Sequence, residues 1–147
     1  MNLDFAVIAD GATQRPDGKV DIFGGGWDTL WASGLPAVHP QLTLVIRLLS
    51  DPAEASEPHT IEILLRSPDG GELAKAEGMI EAAPPEVTQE SSGSISSTLA
   101  LTFQQLTFEE WGPHEFIITI DGEQMREPIR LQVEQAVAEP EGLPEGL

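Results

Sequence analysis

Apolar side chains recur at every second position along most of this chain. Leu3, Phe5 and Val7 alternate with Asp4 and Ala6, and Leu42, Leu44, Ile46 and Leu48 with Thr43, Val45 and Arg47. Ile61, Ile63 and Leu65 alternate with Glu62 and Leu64. The rhythm returns in Leu99, Leu101 and Phe103, in Phe116, Ile118 and Ile120, and in Ile129, Leu131 and Val133. A period of two puts such residues on one face of a pleated strand, because successive Cβ atoms point to opposite sides. Turn chemistry falls between the runs. Arg15-Pro16-Asp17-Gly18, Ser67-Pro68-Asp69-Gly70-Gly71 and Asp121-Gly122 supply a preset φ, an Asx-type hydrogen bond or a glycine able to take positive φ.

With Lys19–Phe23, Trp27–Ala32 and Glu72–Ile80 added as strands, the pattern predicts an all-β fold, an antiparallel sandwich of about 7–9 strands. Helix signals are nearly absent. The best candidate, Phe108–Trp111, is one turn long and is stopped by Gly112-Pro113. Residues 51–58 and 82–93 are expected to be loops. Residues 1–135 are taken as the sandwich domain and residues 136–147 as an acidic tail rich in Pro and Gly.

The chain's 147 residues are enough for one core. No Cys is present, so neither a disulfide framework nor a thiolate site is available. The start lacks the basic and apolar regions of a secretory signal and no apolar run approaches bilayer length, so a cytoplasmic address is expected. Against 25 Asp and Glu stand 7 Lys and Arg, for a formal net charge of −18. Such a charge repels phosphate backbones and anionic lipid surfaces, which makes nucleic acid and membrane poor partners.

Candidate chemistry is sparse. Gly24-Gly25-Gly26 lacks the Lys-Ser/Thr and the helix start of a phosphate loop, and is expected to bend the chain between two strand segments. His39, His59 and His114 each stand just before an expected strand. If residues 40–49 and 60–66 are antiparallel neighbours, His39 and His59 start at opposite ends and share no ion, so no metal site is expected. The serines of residues 91–97 lack a nucleophile elbow. No catalytic residue and no cofactor is implied. Trp27 and Trp31 are the binding candidates, since i and i+4 on a strand share a face; core packing, a protein interface and sugar stacking compete for them.

Residues 112–122 followed by Glu127-Pro128-Ile129-Arg130-Leu131-Gln132-Val133 resemble the final hairpin of immunoglobulin-like sandwich modules. Residues 20–28 and Pro36-Ala37-Val38-His39-Pro40 are similar to an uncharacterised bacterial family of single immunoglobulin-like domains. The resemblance implies the fold and transfers no site. The expected function is a non-enzymatic module that binds protein, as a homo-oligomer, through a sheet face or edge. Its motive is apolar residues on nominally outward positions, namely Ala6, Ile8, Val45, Leu49, Leu64 and Ile117. The alternative is a small-ligand or carbohydrate-binding domain using Trp27 and Trp31.

Overall fold

The structure, a computed structural model, describes residues 1–90, 92–125 and 127–137. The expected tail, from residue 138 onward, lies outside the described residues. The elements run β1 (Asn2–Gln14), β2 (Val20–Gly25), β3 (Thr29–Ala32), β4 (Ala37–Ser50), α1 (Pro52–Ala55), β5 (His59–Arg66), β6 (Glu72–Ile80), α2 (Pro85–Glu90), β7 (Ile95–Phe108), β8 (Gly112–Ile120), β9 (Glu123–Gln124) and β10 (Ile129–Gln135). They build two sheets, ordered β2-β1-β4-β7 and β3-β10-β8-β5-β6, with β9 bonded to β8. The fold is all-β, with ten strands among the described residues rather than 7–9. A two-residue strand such as β9 is too short to leave a period in the sequence.

The three expected hairpin tips form. Gly18 and Gly70 take positive φ at the β1–β2 and β5–β6 turns, and Asp121 and Gly122 both do so after β8. Two successive positive φ values match the right-handed twist of the strands they join. The core lies between the sheets. Leu42, Leu44, Ile46 and Leu48 of β4 face Ile61, Ile63 and Leu65 of β5 and Phe116, Ile118 and Ile120 of β8 across it. Phe103 of β7 meets Phe116 at 5.7 Å between ring centroids, bridging the layers. Each fully buried Leu, Ile or Phe contributes about 1.5–3 kcal/mol relative to exposure.

Several expectations are corrected. Pairing between β3 and β10 is parallel, so the arrangement is not wholly antiparallel. Strands β4 and β5 belong to different sheets and are not neighbours. The register between β1 and β4 shifts between Leu3 and Phe5, an extra residue at Asp4. That bulge turns Ala6 and Ile8 toward the core beside Ile46 and Leu44 and turns Phe5 and Val7 outward, the reverse of simple alternation. In β7, Gln105 takes φ of 53° and flips the pattern from Phe103 to Leu106 and Phe108, all of which are buried.

The segments expected to be loops each hold a helical turn. Asp51 caps α1: its side chain accepts from the Glu54 amide, and the Glu54 side chain accepts from the Asp51 amide, with Pro52 opening the turn. Pro85 opens α2 in the same way. Phe108–Trp111 is not a helix; Phe108 ends β7 and its ring is buried.

Candidate functional site

The outer faces of the two sheets differ in charge. On the six-stranded sheet, register brings Arg66 opposite Glu115, Glu115 opposite Arg130, and Glu62 opposite Glu77. Arg66 bonds Glu115 at 3.1 Å, and Lys75 lies 3.6 Å from Glu62 and 3.2 Å from Glu77. These half-exposed pairs make a solvated face, worth little to stability individually. Leu64 and Ile117 sit paired among them, and Ile117 is already buried.

The outer face of the four-stranded sheet is built differently. Leu44, Ile46 and Leu48 point inward, so alternation sends Thr43, Val45 and Arg47 outward. Register then defines three successive rows: Phe23 opposite Gly11, with Gln41 opposite Gln104; Gly25, Ala9, Thr43 and Thr102; and Val7, Val45 and Ala100. No Asp, Glu, Lys or Arg stands in these rows. Gln41 donates from Nε2 to the Asp10 carbonyl at 3.1 Å, and the Thr43 and Thr102 hydroxyls lie 2.9 Å apart, so these three side chains bond within the sheet. Ala9, Thr43 and Val45 are fully buried by their neighbours, while Phe23 on the sheet edge is 56% exposed. A fourth row carries Arg47, which is paired with Asp4.

Glycines shape the edge of this face. Gly24 takes φ of 56°, and a Cβ built there would meet the Asp10 carboxylate at 2.1 Å. With Gly26, also at positive φ, it carries the chain out of β2 and over to β3 in the other sheet.

Trp27 and Trp31 do not share a face. β3 begins only at Thr29, so Trp27 lies outside the strand's alternation. Its ring packs against the core, edge-on to His39 at 5.7 Å, and its Nε1 donates to the Gly24 carbonyl at 2.9 Å. Trp31 stands alone, 64% exposed, opposite Glu134.

The three histidines occupy separate places, within strands rather than before them. His114 is buried against Phe108, with Nδ1 facing the Gly112 carbonyl at 3.1 Å and Nε2 lacking a bond. Its burial lowers its pKa. His59 is held between Asp121 and the Glu54 carbonyl. Among the described residues no three His, Asp or Glu side chains gather as a metal-binding group, and no helix is long and apolar enough to cross a membrane.

The outward residues Gly25, Ala9, Thr43, Ala100 and Thr102 escape a search for reactive side chains because none is reactive. Their signal is the missing charge: interleaved positions 41–45 of β4 and 100–104 of β7 are Gln, Thr, Val and Ala, where those of β5, β6 and β10 carry Glu62, Lys75, Glu77 and Arg130. The class thus defined is an all-β protein of two packed sheets, one outer face charged and the other largely free of charge. The chain belongs to DUF6941, a family of unknown function, whose match spans residues 4–134. No curated protein matches it.

Proposed function

We propose that the chain is a non-enzymatic, protein-binding module of the immunoglobulin-like sandwich class, and that the partner at its charge-poor sheet face is a second copy of itself. The carrying observation is the run of three rows without a charged side chain on a molecule of net charge −18. Two copies of like net charge repel one another, and rows without a charged side chain lessen that repulsion locally. A two-fold axis lying in the plane of the contact, parallel to the strands, would set like rows against like, as a self-complementary interface requires.

The size of the face fits a reversible contact. Four strands span roughly 19 Å, and residues 41–45 about 14 Å. That is on the order of 250 Å² of plane, well below the roughly 800 Å² per partner typical of tight complexes.

The immunoglobulin-like assignment is supported by the passage from β2 to β3 between sheets and by the parallel β3–β10 pairing. Cytoplasmic location in a bacterial cell belongs to the same proposal, since a chain without Cys needs no oxidising compartment. The non-enzymatic reading is supported at His59, whose two ring nitrogens both face oxygen acceptors of the chain itself. Of the two indoles on which the ligand-binding alternative rests, Trp31 is exposed and Trp27 packs against the core.

Sedimentation across micromolar concentrations tests self-association. Wild type and Thr102→Ser, which keeps the hydroxyl, are expected to associate with concentration, and Thr102→Arg to raise the dissociation constant at least tenfold. A wild-type chain that stays monomeric throughout, or a Thr102→Arg variant that associates as well as wild type, contradicts the proposal.

A further inference from the structure

At one end of the sheets, away from the rows of the docking face, a cleft of about 340 Å³ is lined by Ser50, Ala55, His59, Ile80, Ala83 and Val87. Its two lips are α1 and the segment leading into α2, joined where the Ala83 amide donates to the Ala55 carbonyl at 2.7 Å. His59 sits behind α1. Its Nδ1 lies 2.5 Å from Asp121 Oδ2 and its Nε2 lies 2.6 Å from the Glu54 carbonyl oxygen.

These two acceptors decide the protonation state. A backbone carbonyl only accepts. The Asp121 carboxylate is ionised at neutral pH, the His59 bond and then the Thr60 amide holding its pKa below the ordinary carboxylate value, so both its oxygens accept: Oδ1 from the Thr60 amide at 2.9 Å and the Thr60 hydroxyl at 3.3 Å, and Oδ2 from the ring. Both ring nitrogens must therefore donate, and only an imidazolium has two N–H groups.

Surrounding charge agrees. Asp121 faces the ring from the turn after β8 and Glu54 from α1, its carboxylate joined to the Met1 ammonium group. Glu57 beyond α1 and Glu81 beyond β6 line the same cleft. The bond to Asp121, and next the Glu54 carbonyl, raise the His59 pKa above the ordinary 6.5, outweighing a small desolvation.

We infer that His59 is a protonation-dependent latch, which as an imidazolium ties α1 to the β8–β9 turn and on losing its proton releases α1 and loosens the cleft. Neutral imidazole has one N–H left. The charged acceptor Asp121 is the stronger of the two and keeps it, so the Glu54 carbonyl is the bond lost. Glu54 belongs to the four-residue α1, and releasing it weakens the adjoining Ala55–Ala83 bond.

The test follows His59 by imidazole ¹⁵N shifts and the Ala83 amide by its exchange protection factor, corrected for the intrinsic rate, from pH 5 to 9 on the intact chain. Both ring nitrogens are expected to be protonated beyond pH 6.5, with Ala83 protection falling at least fivefold through the same transition. Asp121→Asn, at a positive-φ position that Asn tolerates, is expected to lower the His59 midpoint and cut Ala83 protection at neutral pH. A His59 midpoint at or below 6.5, Ala83 protection that is constant across the transition, or an unmoved midpoint in Asp121→Asn overturns the latch. None of these readouts depends on self-association.

Discussion

His114 and His59 respond to pH in opposite directions although both stand on strands of the same sheet. Desolvation lowers the His114 pKa, so below about 6.5 the unfolded chain takes up a proton that the native state refuses, and stability falls as pH drops from there toward the folded-state value. The raised pKa of His59 works the other way: its stabilisation is fully present below the unfolded value and is lost as pH rises through the folded one. Urea denaturation from pH 5 to 9 is therefore expected to lose part of its acid slope in His114→Leu and part of its alkaline slope in His59→Gln; the reverse assignment would contradict both environments. Gly24 is a second residue-scale case. Gly24→Ala must hold φ near 56° and displace the Asp10 carboxylate, so a loss of about 1–2 kcal/mol is expected from the left-handed conformation alone, read as a shift in the denaturation midpoint.

At the scale of elements, strand existence is legible from alternation, and strand facing is not always so. Leu42 to Leu48, Ile61 to Leu65 and Phe116 to Ile120 face the core as their period demands. Phe5 and Val7 do not, because the bulge at Asp4 is a backbone event that leaves no mark in the apolar pattern. Gln105 at positive φ hides the same kind of reversal in β7. By contrast, α1 is written in the sequence: Asp51-Pro52-Ala53-Glu54 is a capping box with proline at its first turn. Its loss should be measurable. Asp51→Ala is expected to cost about 1 kcal/mol if the cap contributes as elsewhere, and to raise Ala83 amide exchange by undoing α1; exchange equal to wild type would remove α1 as a lip of the cleft.

For the whole molecule, charge selects the face. Composition announces the −18 but not its distribution; the registers of β1, β2, β4 and β7 place three rows without formal charge side by side. Trp27 and Trp31 mislead at this scale, since their i, i+4 spacing spans the start of β3 and their rings go to different surroundings. If two acidic copies meet through uncharged rows, salt screens their mutual repulsion and leaves the contact itself untouched. Self-association is thus expected to tighten several-fold between low and moderate ionic strength. Weakening with salt would point to ion pairs at the interface instead.

Because the chain contains no Cys, a single nitroxide label can be placed at Thr13→Cys, on the same outer face one row beyond Gly11 and Phe23, or, on the opposite outer face, at Glu77→Cys, and distances between labels on two copies measured in frozen solution. Packed sheets lie about 10 Å apart, so the Thr13 pair is expected to give short separations and the Glu77 pair long ones. Short distances at Glu77 with long ones at Thr13 would place the contact on the charged sheet and contradict the account.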